Sequence, residues 1–171
     1  MRTWIKTFGF LLGACILFAA CIGDEMEEGT VNLQSGDRVP AFSVVMDDGR
    51  KVTSECLLGN PAVVVFFHTG CPDCRKELAV LQRIYDEFGA VVQMVCISRE
   101  EGEEDIARYW EEHRFTLPYS AQDDRSVYHL FAKSGIPRVY IVDKSGMICY
   151  VFTDNPLADY EDLAEAVAAV L

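Results

Sequence analysis

Two cysteines, Cys71 and Cys74, flank Pro72-Asp73 where one hydrophobic pattern gives way to another. Before them, Ala62 to Phe67 is an uninterrupted apolar run rich in Val and Phe, too short for a globular helix, and it reads as a buried strand. After them, Leu78, Leu81, Ile84, Tyr85 and Phe88 recur at helical spacing. The pair therefore sits on a strand-to-helix turn. Pro72 suits the first helical position, where its missing N–H would have had no partner.

A thiol at a helix N-terminus faces unpaired backbone N–H groups and the positive end of the helix dipole, and both favour the nucleophilic thiolate. Cys71 is expected to be the exposed attacking thiol. Cys74, one turn further in, is expected to be the more buried one and to resolve a mixed disulfide by attacking Cys71.

The first twenty residues differ from the rest. Arg2 and Lys6 precede an uncharged apolar run from Phe8 to Ala20, thirteen residues long, well short of the roughly 20 that span a bilayer. This is the pattern of an export signal. Phe18-Ala19-Ala20-Cys21 resembles the lipobox of bacterial lipoproteins, in which the Cys is lipidated. Leu12-Gly13-Ala14-Cys15 is a closer literal match but leaves a shorter apolar run before it; Cys21 is taken as the lipid anchor. Residues 21–37 read as a lipidated tether, and the polar, acidic stretch of sixteen residues after Cys21 could extend roughly 55 Å. Folding is expected to begin near Val39, giving a domain over 38–171.

Export to an oxidising compartment makes disulfide chemistry plausible. Cys96 and Cys149 lie in apolar strand patterns and read as small buried hydrophobes; a Cys96–Cys149 pair stays open. Cys56 falls in a loop or short helix. The formal net charge is −12, and losing Arg2 and Lys6 with the leader takes it to −14. Such a balance argues against nucleic acid or an anionic membrane surface as an electrostatic partner. Glu100 to Asp105, with five acids, reads as a solvated loop and helix start.

Along the chain, Val39–Met46 and Lys51-Val52 around Asp48-Gly49 predict a hairpin. A strand over Val91–Ile97 follows the first helix, then a helix over Ile106–His113. Leu117–Ser120 reads as a short strand or loop and Ser126–Ala132 as a short helix. Val139–Val142 and Met147–Phe152 form a second hairpin, and a closing amphipathic helix runs from Leu157 to Leu171. Strands interleaved with helices imply an α/β helix-sheet-helix sandwich. Trp110 reads as core; His113 and His129 read as surface or half-buried helix residues.

Strand, CxxC, helix, strand, helix, Gly135-Ile136-Pro137, hairpin and helix together resemble the thioredoxin fold. Gly36-Asp37, Pro40-Ala41-Phe42, Asp48-Gly49-Arg50 and Leu58-Gly59-Asn60-Pro61 resemble the N-terminal β-hairpin extension of TlpA/ResA-like, redoxin-type thiol-disulfide oxidoreductases. The likeness runs over nearly all of 36–171. It implies a three-layer thioredoxin-like sandwich and a redox-active Cys71–Cys74 disulfide with no cofactor. It also implies a cis-proline at Pro137 opposite the thiols, with Ile136 offering backbone groups to an extended substrate. Glu77, one turn after Cys74, matches a family carboxylate implicated in proton handling; by spacing alone it is an exposed helix residue. The implied partners are protein thiols or disulfides and a membrane thiol-electron carrier.

Three positions depart from the family pattern. Gly70 replaces a frequent Trp. Arg138 replaces a frequent Thr after the proline and reads either as a positive charge near the site or as a solvated side chain. Asp73 between the cysteines disfavours the Cys71 thiolate and so favours a reducing, reductase-like couple. The rival readings are a peroxiredoxin-type thiol peroxidase and a non-catalytic lipoprotein binding domain with an inert disulfide. Against the first, His68 stands where that family places Thr. His68-x2-Cys71-x2-Cys74 has ligand-like spacing, but a structural zinc site needs four ligands and no second CxxC exists; no metal is expected.

Overall fold

The computed structural model describes residues 32–171. The leader, Cys15 and Cys21, and most of the expected tether lie outside them. The central sheet is built on β3 (Ala62–Phe67), all six residues of which are buried. A strand buried on both faces needs the continuous apolar run seen in the sequence rather than alternation. β4 (Gln93–Ser98) pairs with it in parallel, with Ala62 opposite Gln93 and Phe67 opposite Ser98. β6 (Arg138–Val142) pairs on its other side, antiparallel. The short β5 (Tyr119–Ser120) and β7 (Ile148–Phe152) complete the order β5-β4-β3-β6-β7.

Successive side chains of β3 point to opposite faces, and Phe66 and Phe67 show the consequence. Phe67 packs on Trp110 of α2 (Glu103–His113), the rings tilted by 39° at 5.1 Å between centroids. That face also carries α1 (Pro72–Phe88), which packs against α4 (Tyr160–Ala168) with the Arg83 guanidinium 4.0 Å from the Tyr160 ring centroid. Phe66 faces the other way, onto Tyr128 of the single-turn α3 (Ser126–His129) at 5.5 Å and onto Phe131 at 4.9 Å. The second outer layer is therefore thin, made of α3 and aromatic side chains. α4 begins in a capping box, with Asp159 and Asp162 each accepting from the other's backbone N–H.

Both sheet edges are covered, which keeps their unpaired backbone groups from templating another chain. The hairpin of β1 (Ser43–Val45) and β2 (Lys51–Thr53) closes the β5 edge. There Asp47 N–H donates to the Tyr119 carbonyl at 2.7 Å, and Ser120 Oγ donates to the Val45 carbonyl at 2.7 Å. At the other edge, Gly36 N–H donates to Ile148 O at 2.8 Å, Ile148 N–H donates to Asp37 O at 2.9 Å, and Arg38 bridges Met147. Residues 32–37 thus bond to the domain rather than forming the end of a free tether. Lys133 N–H donating to Asn32 Oδ1 at 2.9 Å fixes the first of them.

Cys96 is fully buried in β4, as expected, whereas Cys149 is only half-buried on the edge strand β7. Two strands lie between them, a separation of about 14 Å, so they do not pair. Cys56 is exposed on a 3-10 turn, Ser54–Leu57. Trp110 is core, and its indole N–H donates to Leu117 O at 2.8 Å; His113 and His129 are exposed. Among the described residues no helix is long and apolar enough to cross a membrane.

Candidate active site

β3 ends at Phe67, and four residues carry the chain into α1. His68 O accepts the Cys71 N–H at 3.0 Å, and His68 Nδ1 accepts the Gly70 N–H at 2.9 Å. Cys71 is the N-cap of α1, with extended backbone, and Pro72 takes the first helical position. The Cys71 sulfur accepts the Cys74 N–H at 3.5 Å, so it occupies the place where a capping oxygen would satisfy one of the helix's orphan donors. Across the site the Ile136–Pro137 peptide is cis, and the Cys71 thiol points to the Ile136 carbonyl at 3.7 Å. Cys71, Cys74, Ile136 and Pro137 are therefore brought together.

The two thiols are both free and differ in environment. Cys71 is half-buried at the surface and Cys74 is fully buried. Burial pushes the Cys74 thiol far above its ordinary value, and its neighbour Cys71 adds to this. The His68 backbone and the positive charge of Arg99 pull the other way without offsetting it.

Glu77 corrects the reading from spacing. It is only 2% exposed, on the same inward face as Cys74, Leu78 and Leu81. Its Oε1 is buried without a hydrogen-bond partner. Burial raises its carboxyl to about 7. A carboxyl that gains or loses its proton near neutrality, one helical turn from a buried thiol, can take that thiol's proton and return it.

Arg138 is neither solvated nor directed at the thiols. Its buried guanidinium donates to the Ser134 carbonyl from Nη2 at 2.8 Å and to the Ser134 and Gly135 carbonyls from Nε, both at 3.2 Å. Tyr128 OH donates to Gly135 O at 2.9 Å. Gly135 itself has φ +86, a conformation that glycine adopts without strain. These contacts hold the loop leading to Ile136. Asp73 pairs with Lys76 at 2.9 Å, which partly offsets its charge beside Cys71.

Glu101 is the site residue that sequence reasoning missed. Within the run of acids it alone is buried, at 7% exposure. Its Oε2 accepts the Thr69 N–H at 2.8 Å, its Oε1 accepts the Thr69 hydroxyl, and His68 Nδ1 lies 3.6 Å from Oε1. Nothing in the spacing of five neighbouring acids separates it from the others. Among the described residues no cluster of three or more His, Cys, Asp or Glu side chains could hold a metal ion, and His68 Nδ1 is occupied by the Gly70 N–H.

Comparison with known proteins agrees with this geometry. The sequence matches the AhpC/TSA family over residues 35–151. It is 30% identical over 143 residues to the thiol:disulfide interchange protein DsbE of Pseudomonas aeruginosa, covering 81% of this chain and 76% of that protein. It is 20% identical over 117 residues to the thiol-disulfide oxidoreductase ResA of Bacillus cereus, covering 68% of each. The crystal structure of a thio-disulfide isomerase from Thermus thermophilus superposes with a TM-score of 0.67 at 28% identity, over 81% of this chain and 97% of that one. The chain belongs to the AhpC/TSA family and, within it, to the TlpA/ResA-like thioredoxin-fold thiol-disulfide oxidoreductases.

Proposed function

We propose that the protein is an exported reductase of protein disulfides that works through Cys71 and Cys74. The observation that carries the reading is the asymmetry of the pair: a surface thiol at a helix cap, and a buried thiol one turn from a buried, protonatable Glu77. The Cys71 thiolate attacks one sulfur of a substrate disulfide. A Cys71–substrate mixed disulfide forms, and the first substrate sulfur leaves as a thiolate and takes a proton. The Glu77 carboxylate then accepts the Cys74 proton. The Cys74 thiolate attacks the Cys71 sulfur, the mixed disulfide breaks, and the second substrate sulfur leaves as a thiolate and takes the proton held by Glu77. The substrate gains two electrons and Cys71–Cys74 becomes a disulfide. A dithiol donor, in this reading a membrane thiol-electron carrier, restores the reduced form.

Ile136 and Pro137 would line the substrate's path beside Cys71, the Ile136 backbone pairing with an extended segment. The raised Cys74 thiol and the acidic Asp73 support the reductase direction, because a couple whose reduced form is not stabilised as thiolate is a reducing one. The basic and apolar leader and Cys21 support export and lipid anchoring at the membrane. The peroxidase reading gains nothing from Thr69, whose hydroxyl is committed to Glu101.

The test is a redox titration of the purified protein in glutathione or dithiothreitol buffers, with thiol trapping. A two-electron transition that vanishes in Cys71→Ser and Cys74→Ser is expected, at a reducing midpoint. A midpoint near about −120 mV would make it an oxidant instead. Absence of any reversible transition would leave an inert binding domain.

A further inference from the structure

We propose that Glu101 is a positioning residue for the dithiol, fixing from the β4–α2 loop the turn that presents Cys71. The inference rests on the reading of Cys71 as the attacking thiol. Glu101 takes both donors of one residue, Thr69, its N–H and its hydroxyl. The same Thr69 offers its carbonyl to Arg75 Nε in the first turn of α1, and the Arg75 guanidinium lies over the Tyr109 ring of α2 at 5.6 Å. Every polar group of Thr69 is thus held from outside β3, two residues before Cys71.

Glu101 is itself anchored. Ser98 Oγ donates to the Glu101 carbonyl at 2.9 Å and accepts the Glu101 N–H at 3.3 Å and the Gln122 N–H at 2.8 Å. Gln122 N–H also reaches the Glu101 carbonyl at 3.3 Å. Ser98 is fully buried and ends β4, whose partner residue on β3 is Phe67. A rigid sheet position therefore holds Ser98, Ser98 holds Glu101, and Glu101 holds Thr69. A buried carboxylate is costly unless hydrogen-bonded, and charge-assisted bonds of this kind are the strong ones. Losing Glu101 frees the turn and leaves the buried Thr69 N–H without a partner.

Disulfide exchange needs the attacking sulfur aligned with the scissile bond, and a misplacement of about 1 Å can cost about a hundredfold in rate. Glu101→Ala is therefore expected to slow reduction of insulin disulfides about tenfold or more in kcat, with KM within about twofold, at a temperature where circular dichroism shows the variant folded. Glu101→Gln keeps an acceptor for the Thr69 N–H, and the Thr69 hydroxyl can turn to accept from its amide; kcat is expected to return to within about threefold of wild type. If Glu101→Ala does not fold, Glu101→Asp, one methylene short of Thr69, takes its place in the comparison.

A kcat within about twofold of wild type in Glu101→Ala, or in Glu101→Asp where Ala does not fold, would overturn the proposal even if melting temperature falls. So would a Glu101→Gln variant as slow as the disruptive one. Cys71→Ser separates the two levels. If wild type reduces insulin no faster than Cys71→Ser, the dithiol reading fails and the positioning role with it. If wild type is active and Cys71-dependent but insensitive to Glu101, only the positioning role fails.

Discussion

Glu77 follows Cys74 by one turn on the inward face of α1, and its buried Oε1 has no hydrogen-bond partner. Both residues are buried, Cys74 fully and Glu77 at 2% exposure, so a proton passed between them as proposed would move away from bulk water. With its carboxyl raised to about 7, Glu77 is a base above that pH and an acid below it. Resolution of a Cys71 mixed disulfide, followed by acid-quench trapping, should speed up as pH rises through about 7 and then level off. In Glu77→Gln that inflection should disappear, and the rate at pH 8 should fall by about a hundredfold, within the range for loss of a general base. A retained inflection would assign it to another group.

The same burial has a thermodynamic side. Glu77 has a folded value raised from 4.5 to about 7. Between those values the folded chain keeps a proton that the unfolded chain has released. The group's contribution to stability is complete below 4.5 and is lost as pH rises to about 7. Urea denaturation of wild type and Glu77→Gln at pH 4.5 and pH 8 should show the difference moving in favour of Gln. The expected movement is on the order of 3 kcal/mol. A difference independent of pH would mean that the carboxyl is solvated in solution.

The strand-to-helix turn was legible because both sides of it carry strong periodic signals: six buried residues in β3, then Leu78, Leu81 and Ile84 facing inward from α1. β1 was foreseen over Val39–Met46 but forms only at Ser43–Val45, because its partner β2 has three residues to offer. The anchoring of residues 32–37 was not legible, since it depends on pairing with β7 more than a hundred positions away. Glu101 looks like any surface acid in sequence, and spacing alone reads Glu77 as exposed; only the family resemblance marks it. Periodicity marks the face a helix buries only when that face is apolar, and a loop residue such as Glu101 has no periodicity at all. Cys149 failed for a related reason: an apolar strand pattern does not tell an edge strand from a central one.

Gly70, where a Trp is frequent in the family, lies against the His68 imidazole. A Cβ at Gly70 would come within 3.1 Å of His68 Nδ1 and 3.2 Å of Cε1, tighter than ordinary van der Waals contact. The same ring accepts the Gly70 N–H, so moving it also releases that bond. Gly70→Ala is expected to cost about 1 kcal/mol in the wild-type background, at the lower end for overpacking. In His68→Ala the ring is gone and exposed Gly70 can bond to water, so the added cost should fall close to zero. The double-mutant cycle by chemical denaturation measures this coupling. Additive costs would show that the crowding lies elsewhere.

Arg138 holds Ser134 and Gly135 by their carbonyls, and those residues lead directly to Ile136, whose carbonyl meets the Cys71 thiol. Hydrogen bonds from a charged donor contribute about 1.5–3 kcal/mol each, with sharing between acceptors lowering the sum. Arg138→Ala should therefore destabilise the fold by about 2–4 kcal/mol. Its kinetic effect should depend on the size of the substrate. If a protein disulfide aligns its chain on the Ile136 backbone, as proposed, KM for insulin should rise about tenfold with kcat nearly kept. A small aromatic disulfide needs only the Cys71 sulfur, and its rate should stay within about threefold of wild type. Arg138→Lys, with a single ammonium in place of the guanidinium fork, should fall between. Equal losses with both substrates would mean that Arg138 acts on the thiols themselves, against the geometry that turns its side chain toward Ser134 and Gly135.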